Sequence, residues 1–215
     1  CLTYAYNVYR DVQESKRASA TQILTGVRNA FSEVDDIQTQ LITSNTAIVA
    51  LKPTDTEKKT ELDNKVKDLT ERLTSTRARL EKQLQALSDV ELAPFPIFAK
   101  LYRGLLATRE NRLEDARANL GSVTWEGLGD TPERFAGEVA VLSLARAQLD
   151  DIKSIEDGRK MLKDLGDRGI YTRVSALKAL AAIAETSQQK LDAKTSIEKL
   201  IAEQTLQQME QDLHS

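Results

Sequence analysis

Residues 1–92 contain a single glycine, Gly26, and a single proline, Pro53, whereas eight of the nine glycines fall between positions 104 and 169. Glycine and proline are the residues that interrupt helices. The first part of the chain can therefore run as long unbroken helices, while the second must turn often. In the first part Leu24, Val27, Phe31, Val34, Gln38 and Leu41 recur at alternating spacings of three and four, the stripe of a helix that pairs with another. Leu62, Val66, Leu69, Leu73, Thr76, Leu80, Leu84 and Leu87 repeat the pattern beyond Pro53. Proline disfavours helix at Lys52, and Thr54-Asp55-Thr56-Glu57 has the form of a capping box, so the chain is predicted to turn back near 53. A short connection makes the two helices antiparallel neighbours, each with room for about 35 to 45 residues, or roughly 50 to 65 Å. Pairs such as Glu61 with Lys65 and Asp63 with Lys67 lace the outer face and are worth only ~0.3 kcal/mol each, which reads as a solvated surface.

Ala93-Pro94-Phe95-Pro96 ends the second helix, because two prolines in three residues cannot continue it. Beyond it the turn residues mark off shorter helices at about 97–109, 112–122, 132–150, 154–166, 171–187 and 189–212. β-branched runs with period-two alternation are missing and aromatics make up 5% of the chain, so strands have nowhere to go. The expected fold is all-α: a long antiparallel helical hairpin over 1–92, followed by a helical domain over 97–212.

The six short helices form three pairs, and small residues recur within them. Gly104 is followed twelve residues later by Ala116 and then by Leu120; Ala145 is followed thirteen later by Gly158 and then by Leu162; Ala181 is followed twelve later by Ala193 and then by Ile197. The first and third follow the spacing of tetratricopeptide repeats, in which small residues let paired helices approach and a large apolar residue follows one turn on, and the second is one residue longer, which implies a slightly altered turn. Three repeats are about the minimum for a stable stack. The second part is read as a three-repeat tetratricopeptide-like domain, with the hairpin and the polar stretch from Gln204 to Ser215 as its caps.

These residues also carry a family resemblance. Phe98-Ala99-Lys100-Leu101-Tyr102-Arg103-Gly104-Leu105-Leu106, Leu113-Glu114-Asp115-Ala116-Arg117 and Phe135-Ala136-Gly137-Glu138-Val139-Ala140 with Leu144-Ala145-Arg146 resemble the tetratricopeptide-like domain of the periplasmic ancillary subunit of the SecYEG translocon and its relatives. Tyr9-Arg10-Asp11-Val12-Gln13 with Ser15 to Ala20 is similar to the stretch those proteins carry just outside their membrane span. The resemblance covers roughly 97–205 and, less closely, 4–32. It implies a membrane-tethered, non-enzymatic repeat protein of the bacterial cell envelope, on the periplasmic face, that contacts translocon, chaperone or substrate chains. The segment of about 33–92 is an insertion relative to that pattern.

Composition narrows the chemistry. Thirty Lys and Arg against 33 Asp and Glu give a net charge of −3, which removes the electrostatic case for nucleic acid as the main partner. One Cys and one His, His214, leave no basis for a thiolate cluster, a His-based metal site or His acid–base catalysis. Ser187-Gln188-Gln189-Lys190 matches Ser-x-x-Lys but lacks its companion elements, and Ser187 is expected as a helix N-cap. Adjacent carboxylates at Asp35-Asp36 and Asp150-Asp151 point about 100° apart on a helix and suit neither a proton-sharing dyad nor a metal clamp. Gly127-Leu128-Gly129 lacks the third glycine of a dinucleotide loop. Trp125, the only tryptophan, is read as a core residue beneath a loop rather than a contact anchor. The chain is thus expected to be no enzyme, with no catalytic residue, metal, cofactor or small-molecule substrate.

Sites for partners remain. Cys1 is read either as a lipid anchor of lipoprotein type, as a free thiol, or as the stump of an upstream span; Tyr4, Tyr6 and Tyr9 suit a membrane-proximal aromatic belt or packing on a neighbouring helix. A concave groove between repeats would present Arg109, Leu142, Arg146, Asp150, Lys178 and Glu185 to a bound polypeptide. The leading expectation is a membrane-tethered protein-interaction scaffold. The alternative is a structural lipoprotein subunit built permanently into a large assembly, to which the apolar residues Leu2, Val8, Ile37 and Ile48 point.

Overall fold

The computed structural model describes residues 2–52, 54–151, 153–184 and 187–214, with side chains placed from 13 to 203 except at 53, 152, 185–187 and 190. Cys1 and Glu185 lie outside the described residues, as do the side chains of Leu2, Tyr4, Tyr6, Val8 and Tyr9. The described residues form eight α-helices and no strand: α1 (Leu2–Ala50), α2 (Thr56–Ser88), α3 (Phe95–Arg109), α4 (Leu113–Leu120), α5 (Pro132–Leu149), α6 (Ile155–Arg168), α7 (Arg173–Ala182) and α8 (Ser187–His214). They fall into two compact units, Cys1–Tyr102 and Arg103–Ser215, with the division inside α3.

In the first unit α1 and α2 pack along each other. A Cβ on Gly26 would lie 2.6 Å from the Gln83 amide nitrogen, and Glu33 accepts a hydrogen bond from Thr76 at 3.2 Å. Seven residues up one helix correspond to seven down the other, so the pair is antiparallel. The sequence stripe supplies the seam: Leu24, Val27, Phe31 and Val34 of α1 and Leu69, Leu80, Leu84 and Leu87 of α2 are buried. Ala30 and Ile37 widen the buried face of α1, and the start of α3 adds buried Phe95, Phe98 and Leu101, with Tyr102 set edge-on to Phe31 at 5.3 Å. Toward the connection Leu41, Ile48, Leu62 and Val66 are only half-buried.

Two local expectations are corrected here. Ile37 is 1% exposed, a seam residue rather than a free apolar one; among the described side chains of α1 the exposed large apolar ones are Ile42 at 69% and Val49 at 86%. The capping box does not form: Asp55 is the N-cap, without a side-chain cap bond. Its N–H donates to Lys52 O at 3.0 Å and its carbonyl accepts from Lys59 N–H, which leaves Thr54 outside the helix.

In the second unit each helix packs on the next, α4 on α5, α5 on α6, α6 on α7 and α7 on α8, with α7 also touching α5. Small residues set the close approaches. A Cβ on Gly104 would collide with the Leu120 side chain, and one on Gly158 would lie 2.7 Å from the carbonyl oxygen of Ala145. Ala116 and Ala145 are fully buried. The core joins Trp125, Leu142, Ala145, Leu162, Leu165 and Ala176. α5 starts where its sequence directs it, with Pro132 in the first turn and the Thr131 hydroxyl accepting from Arg134 N–H at 3.2 Å.

Candidate functional site

α7 is built largely of alanine and leucine, RVSALKALAA, and is flanked by charged α6 and α8. Its small side chains leave an open groove of about 620 Å³ between the three helices. Leu177, Leu180 and Ile183 form the floor, with Ala184 and Ala193 beside them. One wall is the polar face of α6, carrying Arg159, Lys160 and Lys163 between Glu156 and Asp167; the other is α8, with Gln189, Asp192 and Ser196. Arg159 is engaged by Glu156 at 3.3 Å, and Asp192 accepts the Gln188 amide at 2.7 Å. Lys160 and Lys163 are exposed and show no ion pair among the described residues. An apolar floor between charged rims suits an apolar side-chain row with polar flanks.

A second arrangement stands behind α7. Glu138, on α5, is fully buried. Its carboxylate accepts the backbone N–H groups of Ile170 and Tyr171 at 2.8 Å and of Thr172 at 3.0 Å, and it pairs with Arg134 at 2.9 Å. Burial alone pushes this carboxyl up, but the donated hydrogen bonds outweigh it and hold it below the ordinary glutamate range. A carboxylate placed on the last residues before α7 also opposes the positive end of that helix. Arg134 reaches further, to Leu128 O at 2.6 Å and Arg168 O at 2.8 Å. The guanidinium groups of Arg134 and Arg168 each stand 5.3 Å from the centroid of the Trp125 ring, within cation–π range. Trp125 is 5% exposed, in the core as its sequence context suggests. The clamp presents Tyr171 at the surface, hydrogen-bonded to Asp130 and edge-on to Phe135 at 5.4 Å.

The residues expected to line a concave groove are distributed differently. Arg109, Arg146, Asp150 and Lys178 are exposed, and none of them lines the groove between α6, α7 and α8. Leu142, 9% exposed, belongs to the core with Trp125 and Leu165; its side chain is turned inward because α5 is covered by α6 on that face. Glu185, Cys1 and the three tyrosine side chains are outside the described residues. So are the side chains of Ser187 and Lys190. Asp151, of the pair Asp150-Asp151, serves a turn: it accepts from Ser154 Oγ at 2.8 Å and Lys153 N–H at 3.2 Å, and these bonds lower its pKa. Sequence reasoning passed over Glu138. Its signal is an acid set among Ala136, Gly137 and Ala140, the small residues of a face that must be buried.

Among the described residues no group of three or more His, Cys, Asp or Glu side chains is placed to hold a metal ion, and no helix is long and apolar enough to cross a membrane. No family model, curated protein or solved structure matches this chain.

Proposed function

We propose that the chain is a non-enzymatic protein-interaction scaffold of the bacterial cell envelope, tethered to the membrane near its N-terminal end, of translocon or chaperone accessory type. The observation that carries the binding role is the open groove of α6, α7 and α8, with its apolar floor of Leu177, Leu180 and Ile183 between charged rims. Grooves of this kind seat the apolar face of a polypeptide segment. The close approach of Gly104 to Leu120 and of Gly158 to Ala145 is what a tetratricopeptide-like stack requires of its paired helices, and it supports the repeat reading for the first two of the three pairs. The envelope location and the tether rest on the family resemblance.

Site-specific photo-crosslinking in the native envelope tests this reading. With the photoreactive residue in place of Ile183, in the groove, discrete polypeptide adducts are expected; with it in place of Lys178, on the exposed face of α7, they are not. Adducts from neither position, or from Lys178 alone, would remove the groove as the binding site.

A second reading, a structural lipoprotein subunit of a permanent assembly, is favoured by one feature: Ile42 and Val49, seven residues apart on α1, are exposed at 69% and 86%. It predicts that the chain leaves the membrane only as part of a complex of fixed stoichiometry.

A further inference from the structure

The floor and walls of the groove differ in a way that selects what fits. Leu177, Leu180 and Ile183 advance by three residues each time, a stripe about 9 Å long at 1.5 Å per residue. Apolar residues at i, i+3 and i+7 on a helix laid alongside span about 10.5 Å, one residue's rise more than the stripe, so all three can rest on it. The two walls are faces of α6 and α8, and a helix bonds its own backbone groups apart from those of its first and last turns, so an extended segment finds no sheet edge on which to build a ladder of main-chain hydrogen bonds. The lining also falls well short of the roughly 20 to 30 residues a side that a stable interface between folded chains uses. This favours a short segment over a second copy of the chain.

Charge then sets its orientation. On the α6 wall Arg159 is taken up by Glu156 at 3.3 Å, whereas Lys160 and Lys163, on neighbouring turns, are exposed and form no ion pair among the described residues. On the α8 wall the charged side chain among those described is Asp192. Asp167 closes the far end of the α6 wall.

We infer that the groove takes a two-turn amphipathic helical segment of a partner polypeptide, with acidic residues on the flank facing Lys160 and Lys163 and a basic residue on the flank facing Asp192. The inference rests on the reading of the groove as a polypeptide site and adds to it the chemistry of the occupant. Rim charges of this kind fix register and partner choice more than affinity.

The test is a selection on the full chain. The probe is a displayed library of short helical peptides with Leu fixed at i, i+3 and i+7 and both flanks randomised among Glu, Lys and Ser. Enriched peptides are expected to favour Glu over Lys on one flank, and Lys over Glu on the other, by about threefold or more, the scale of a fraction of a kcal/mol per exposed charge pair. The Lys160→Glu/Lys163→Glu variant alters two exposed side chains, so its helicity should equal that of the parent, and it should invert the preference on the first flank alone. Enrichment without a flank bias, or a bias that the double variant leaves unchanged, would overturn the inference while the interaction role stands. No enrichment of any peptide would remove the groove as a polypeptide site and the inference with it.

Discussion

Arg134 donates from Nε to Oε1 of Glu138 at 2.9 Å, one turn further along α5, and the acid is fully buried while the arginine side chain keeps 14% of its exposure. The pair organises the second unit. Glu138 binds the three residues that precede α7, and Arg134 bonds the carbonyl of Leu128 before α5 and that of Arg168 at the end of α6. Truncating one member of a buried, hydrogen-bonded ion pair strands its partner, at a cost of about 3–5 kcal/mol. Glu138→Ala should destabilise the second unit on that scale. Glu138→Gln, which keeps an acceptor and the volume, should cost less, about 1–3 kcal/mol. Trp125, the single tryptophan, lies against Arg134, so its fluorescence during denaturant unfolding reads the effect directly.

The same carboxylate makes stability depend on pH. Burial raises the Glu138 pKa, but the hydrogen bonds from Ile170, Arg134, Thr172 and Tyr171 overcome it, and the folded value lies below the ordinary 4.5. The unfolded chain therefore takes up a proton at this site before the folded one does as the solution is acidified. The contribution is fully present above about 4.5 and is lost as pH falls through the lower, folded value. Unfolding free energies measured from neutral pH down into acid should drop more steeply for the parent than for Glu138→Gln, which has no proton to gain. Equal slopes would show that other groups carry the acid dependence.

The helices were legible because punctuation was dense where it mattered. Prolines at 94 and 96, Pro132 and the glycines from 121 to 129 and 166 to 169 place the starts and stops of α3 to α6, and the start of α7, within about two residues of the structure, whereas α7, with no such residue to stop it, ends at Ala182 rather than at the expected 187. The heptad stripe of Leu24 to Val34 likewise became the buried seam of α1 and α2. The Glu138 clamp was not legible. Arg134 and Glu138 at i,i+4 look like any solvated pair, and the N–H groups that bind the acid lie 32 to 34 residues away, a distance that no local pattern spans. The groove was missed for a related reason. α7 is apolar nearly all round, so its sequence does not say which side is covered by α5 and which is left between α6 and α8.

Exposed and buried neighbours in the first unit should behave oppositely. Arg79 pairs with Glu33 at the surface, with side-chain exposures of 54% and 38%, and such pairs contribute under about 1 kcal/mol. Leu80, the next residue, is fully buried in the seam, where truncation to alanine costs about 2–5 kcal/mol. Thermal melts followed by circular dichroism should show Arg79→Ala close to the parent and Leu80→Ala clearly lowered. A large loss for Arg79→Ala would mean that the Glu33, Thr76 and Arg79 cluster holds the register of the two helices.

Gly158 offers a test of the close approach between α5 and α6. Within a helix, replacing glycine by alanine ordinarily stabilises by up to about 1 kcal/mol, because alanine has the higher helix propensity. Here the added Cβ would stand 2.7 Å from the carbonyl oxygen of Ala145, with Leu149 and Gln148 side chains at 3.2 and 3.3 Å. The nearest obstacle is backbone and has no rotamer to escape into, so α6 must move off α5, and overpacking of this kind costs about 1–3 kcal/mol. The clash should win, and Gly158→Ala should lower the unfolding midpoint reported by Trp125, whose ring shares a core with Ala145 and Leu162. Gly129, whose Cβ would meet nothing within 4 Å, is the control: Gly129→Ala should be neutral or slightly stabilising. A stabilised Gly158→Ala would mean that the two helices yield without loss, and that the small residue is not what sets their separation.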